Sequence, residues 1–194
     1  MRSLRRPRTL VVLSALVLLA SSCGGEDKTE GQLAREALNR GLAAQQAGDA
    51  EAAGEAYREA LDHDPDNAYA FYNLGLLAQT GDRLAEAEEN YRAALNADPS
   101  FASALYNLAT IRYRQGATLE SADLYRQVLE LEPNNANAHL NLGFSLRDLG
   151  KNEQAMTEFE KAIILDPELI ERIPDDVDLT GGSGKGAGGS NGSE

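Results

Sequence analysis

Three short stretches of the chain begin 34 residues apart: FYNLGLL from Phe71, LYNLATI from Leu105 and HLNLGFS from His139. A proline preceded by an acid recurs at the same interval, at Pro65, Pro99, Pro133 and Pro167. Self-similarity at a fixed period of this length argues against one closed core. It points to a stack of like units, each burying its apolar face against its neighbours. Setting the register by the prolines divides the chain into units 34–67, 68–101, 102–135 and 136–169.

Within a unit the apolar residues fall at helical spacing, twice. In AYAFYNLGLLAQ they are Phe71, Leu74 and Leu77 or Ala78, and AEAEENYRAALNA repeats the pattern. Gly48, Gly81, Gly116 and Gly150 punctuate the two runs. Asp66 or Asn67, Ser100, and Asn134 or Asn135 are candidate caps for the helix that follows each proline. Small residues recur where two helices must approach: Gly41, Gly75, Ala109 and Gly143 at unit position 8, then Ala53, Ala87, Ser121 and Ala155 at position 20. Position 24 holds Tyr57, Tyr91, Tyr125 and Phe159, aromatics expected to fill the space between neighbouring hairpins. Each unit therefore reads as helix, turn, helix, and the fold class as an all-α solenoid.

This pattern resembles the tetratricopeptide repeat (TPR) family over residues 34–169. The resemblance implies four TPR units in a right-handed superhelix that binds proteins and has no catalytic role. Three departures stand out. The Trp expected at position 4 is replaced by Ala37, Phe71, Leu105 and His139; Gly81 comes one residue early, which implies a longer turn; and Arg112 occupies an ordinarily apolar site, where it must snorkel or find an acid. Residues 170–174 are expected to form a short capping segment. The Gly/Ser-rich stretch 175–194 cannot bury enough apolar surface to order itself and is expected to be a disordered tail.

The N-terminus is of another kind. MRSLRRPR carries four arginines and no acid, an apolar run of about a dozen residues follows, and SSCGG comes next. This is a secretory-signal pattern over residues 1–22, and the run is shorter than the ~18–20 residues of a membrane-spanning helix. Cys23 is the only cysteine, so no internal disulfide forms. Its setting resembles the lipobox of bacterial lipoproteins, which implies lipidation at Cys23, a lipid-anchored linker over 23–33 and an extracytoplasmic place in a bacterial cell envelope. A plain secretory signal and an uncleaved anchor are the alternatives. Without residues 1–22 the chain has 14 basic and 31 acidic side chains, a net charge of −17. Such a surface repels nucleic acid and anionic headgroups.

In the TPR family the first helix of each unit lines a concave groove, mainly through positions 2, 5, 6, 9, 12 and 13. Position 6 here is Asn39, Asn73, Asn107 and Asn141. An amide both donates and accepts, so a row of them suits the peptide groups of an extended chain. The row resembles the asparagine ladder in the TPR region of O-linked N-acetylglucosamine transferases; a purely local structural role is the other reading. Around it the resemblance places Tyr69, Tyr72, Leu76, Tyr106, Tyr113, Phe144 and Arg147, with Leu38, Leu42, Leu140, Arg35, Gln45, Gln79 and Arg114. The lysines and arginine of carboxylate-clamp TPRs are missing from these positions.

Other chemistry finds no footing. His63 and His139 have no Cys or His at metal-ligand spacing, DHDPDN is interrupted by Pro65, and GGSGKGAGG follows no strand and lacks the terminal Ser/Thr of a phosphate loop. No metal, cofactor or catalytic residue is expected. The expected function is an adaptor that holds a protein or peptide segment in the groove; self-association of the solenoid is the alternative.

Overall fold

A computed structural model describes residues 28–174 and Val177. The expected signal segment over 1–22, Cys23 and nearly all of the Gly/Ser-rich tail lie outside the described residues. Eight helices follow one another: α1 (Glu30–Gln46), α2 (Ala50–His63), α3 (Ala68–Thr80), α4 (Leu84–Ala97), α5 (Ala102–Arg114), α6 (Thr118–Leu131), α7 (Ala136–Asp148) and α8 (Asn152–Leu165). A 3-10 turn over Pro167–Arg172 closes the array. The fold is an all-α TPR solenoid of helical hairpins. Each hairpin packs most closely within itself, then against the next.

The small residue at position 8 explains the close hairpin. A Cβ built on Gly75 would stand 2.6 Å from Tyr91 Cε1, and on Gly41 and Gly143 it would meet Tyr57 and Phe159 at 2.4 and 2.5 Å. Tyr57, Tyr91, Tyr125 and Phe159 are therefore sunk across their own hairpins, at most 1% exposed, as well as against the next unit. Sequence reasoning placed these rings only between hairpins. Their hydroxyls reach the neighbouring first helix: Tyr57 donates to Gln45 at 2.6 Å, Tyr91 to Gln79 at 2.7 Å, and Tyr125 bonds Thr110 at 2.9 Å. In the last unit, where Arg147 replaces the glutamine, the ring is Phe159 and needs no acceptor.

Between the helices of each hairpin the backbone turns through one residue with positive φ. These are Gly48, Asp82, Gly116 and Gly150, spaced by the full repeat. The early Gly81 does not lengthen its turn; the turn keeps its size and Asp82 takes the left-handed conformation at φ 57° instead. Asn67 and Asn135 cap α3 and α7 by accepting from Ala70 N and Ala138 N. Ser100 does not cap α5. It bonds the Asp98 carboxylate, and Phe101 stands at the cap position with no side-chain bond to offer.

Arg112 does find acids. It bridges α4 and α6 through Glu88 at 3.1 Å and Glu120 at 2.6 Å, and also meets Gln115. His139, at the equivalent of the missing Trp, bonds through both ring nitrogens: Nδ1 lies 2.6 Å from a Glu158 carboxylate oxygen and Nε2 donates to Pro133 O at 3.0 Å. The closing turn begins at Pro167, inside the fourth unit, and buries Leu169 and Ile173 in the same cluster as Leu140.

Candidate functional site

The first helices α3, α5 and α7 present their asparagines on one face, because residues 34 apart share a register position. Asn73 is buried and its amide donates to the Tyr69 carbonyl one turn back at 2.7 Å. Asn107 and Asn141 reach across to the preceding unit: Asn107 Nδ2 lies 3.4 Å from Tyr72 Oη and Asn141 Nδ2 donates to Tyr106 Oη at 2.8 Å. Asn39 is exposed. Each rung from the second unit onward has thus committed an amide hydrogen to a local or inter-unit bond, and Asn107 and Asn141 also bond the buried Tyr91 and Tyr125 hydroxyls.

The aromatics around them fall into three groups of touching rings, the first of which forms a strip. Phe101 is the centre, its ring 4.8 Å from Tyr72 and 5.1 Å from Tyr69, and Tyr72 also leans on Tyr91 at 5.8 Å. Tyr69 is 62% exposed, the most open large side chain of the strip. Tyr106 stacks edge-on against Tyr125, and Phe144 does the same against Phe159 with the Arg147 guanidinium 5.5 Å from its ring centre. Tyr113 donates to Asp148 at 2.6 Å. Leu76 is half-buried and Leu42 open, but Leu140 is wholly covered, so the apolar strip ends at α7. Phe101 and Arg172 were missed by sequence reasoning. An aromatic where a capping residue belongs was the available signal for Phe101; Arg172 shows itself only once the closing turn brings it 2.8 Å from Asn137.

Burial shapes the titration of these phenols. It pushes Tyr106 up, and lifts Tyr125 to about 12 despite its bond to Thr110. Tyr113 is also raised to about 12, first by burial and then by the Asp148 carboxylate. The rings therefore offer neutral O–H groups at any ordinary pH. A shallow cavity of ≈ 300 Å³ opens between Tyr72, Ser103, Tyr106, Asn107, Asn135 and Asn137. A larger cavity, ≈ 770 Å³, lies between α6 and α8, with Leu129, Leu142 and Leu146 among its apolar lining and the His139–Glu158 pair at its wall. Among the described residues no group of three or more His, Cys, Asp or Glu is placed to hold a metal, and no helix is long and apolar enough to cross a membrane.

A stack of helical hairpins of this kind is, in general, a protein-interaction scaffold. Tetratricopeptide repeat models match residues 38–100, 76–135 and 124–157, and the chain belongs to the tetratricopeptide repeat family. Solved structures of the same fold include a MamA crystal structure, 23% identical over 73% of this chain and 77% of that one with a TM-score of 0.66. MamA from Desulfovibrio magneticus RS-1 is 20% identical over 74% and 81%, with a TM-score of 0.67. The Pseudomonas aeruginosa PilF structure is 29% identical over 71% of this chain and 63% of that one, at a TM-score of 0.62. No curated protein matches the sequence.

Proposed function

We propose that the protein is a non-enzymatic adaptor at a bacterial cell envelope, anchored through lipid on Cys23, that holds an extended protein segment in the groove of α3, α5 and α7. The observation that supports this reading is the row of amides at Asn73, Asn107 and Asn141 beside the Tyr69–Phe101–Tyr72 strip, in which Tyr69 is exposed and the other two rings are half-buried. The test is a crosslinking pulldown from native membranes with the intact chain and with Asn73→Ala/Asn107→Ala. A partner recovered by the wild type and lost by a folded double variant supports the groove; equal recovery by both sinks it. Anchoring is tested separately: radiolabelled fatty acid should enter the wild type and not Cys23→Ser.

Self-association is favoured by one specific observation. Ile164 is 79% exposed, with Ile170, Leu131 and Leu165 exposed on the same end of the array. Light scattering across concentration separates the readings, because a self-assembling solenoid gains mass and an adaptor keeps its own.

A further inference from the structure

The charges of this molecule are sorted by helix. The second helices α2, α4, α6 and α8 carry thirteen acidic side chains against four basic ones. The first helices α1, α3, α5 and α7 reverse the balance, with Arg35, Arg40, Arg112, Arg114 and Arg147 against Glu30, Glu36 and Asp148. Arg40 and Arg112 are turned to the second helices by Glu59, Glu88 and Glu120. The others stand at groove positions. Arg35 is exposed near the start of α1, Arg114 is half-exposed at the end of α5 with its nearest acid, Asp82, at 3.9 Å, and Arg172 from the closing turn lies against Asn137 at the start of α7. The α3 helix, in the middle, carries no charge at all.

From this we infer that the groove takes an extended peptide with acidic side chains, whose apolar residues rest on the Tyr69–Phe101–Tyr72 strip while its carboxylates face Arg35, Arg114 and Arg172. The inference rests on the groove being the binding surface, and adds the chemistry of the partner. The overall negative charge does not oppose it. The acids on the second helices stand behind a layer about 10 Å thick, comparable to the ~8 Å screening length at physiological salt, and the two acids on the groove side, Glu132 and Asp148, already accept from Asn135 and Tyr113. A bound peptide therefore feels the nearby guanidiniums most. Arginine also matches a carboxylate with paired N–H groups, which favours it over a diffuse field.

The test uses the full chain and fluorescent twelve-residue peptides with one apolar pattern, alternating Leu or Tyr with Glu, Ser or Lys, read by anisotropy. The Glu peptide should bind at least about tenfold tighter than the Lys peptide, and its affinity should fall as salt rises. Arg114→Glu/Arg172→Glu should remove that preference while the thermal transition stays in place. If the variant does not fold, the salt dependence of the wild type decides. Equal binding of all three peptides, or a preference for Lys, overturns the acidic partner and leaves the groove intact. Binding of none overturns both.

Discussion

Asp82 holds a backbone conformation that its three counterparts assign to glycine, at φ 57°. A Cβ in the left-handed region crowds the backbone, and Asp bears this better than most residues because its short polar side chain bonds locally. The cost remains. Asp82→Gly is expected to raise stability by about 0.5–1 kcal/mol, since relief of the strain outweighs the added freedom of the unfolded chain. Its 3.9 Å contact with Arg114, between exposed groups, contributes little against that. Urea denaturation with an unchanged slope would measure the gain. At Gly75 the expectation reverses, because the ring of Tyr91 already occupies the space of a Cβ. Gly75→Ala should cost about 1–3 kcal/mol. The third unit has Ala109 at that site, and there the Tyr125 hydroxyl bonds Thr110 rather than the position-12 side chain.

At the scale of elements, what joins one hairpin to the next differs along the stack. Between α4 and α6 the filler is Arg112, held by Glu88 and Glu120; between α6 and α8 the corresponding residue is Leu146. Arg112→Ala leaves Glu88, which is largely covered, without its inter-helix cation, and is expected to cost about 1–3 kcal/mol. A double-mutant cycle with Glu88→Gln should recover part of that loss as coupling. The helices themselves were legible in the sequence because two independent signals agreed, the proline spacing and the apolar period. The cap of α5 was not. Ser100 satisfies the composition rule for a cap, yet it sits one residue too early and turns to Asp98, leaving Phe101 to enter the groove. Composition reports which residues are able to cap, whereas register decides which one does.

The whole molecule should weaken in acid, and the direction follows from two carboxylates. Burial alone pushes Glu158 up, but bonds from Lys161 and His139 outweigh it and hold the carboxyl below its usual 4.5; for Glu88 burial is likewise outweighed by Gln115, Arg92 and Arg112. A folded pKa lower than the unfolded one means stability present above pH 4.5 and lost as pH falls through the lowered values. Denaturant midpoints measured from pH 6 to 3 should therefore drop. The drop should be smaller in Glu158→Gln, whose own loss is already taken at neutral pH. Repeat architecture was readable across the chain because every unit restates it. The groove was readable only as positions: periodicity placed the asparagines on one face, but their bonds to Tyr72 and Tyr106 join residues 35 apart and depend on how neighbouring units are rotated.

Those two bonds make the groove a spring whose coils are stitched along the inside. Asn107 to Tyr72 spans the second and third units at 3.4 Å, and Asn141 to Tyr106 spans the third and fourth at 2.8 Å. Stretching the coil lengthens the slacker stitch first. In the proposed groove, pitch and recognition would then be one mechanical variable: opening the array between α3 and α5 frees the Asn107 amide from Tyr72, and a segment that took that amide would leave the joint freer to open.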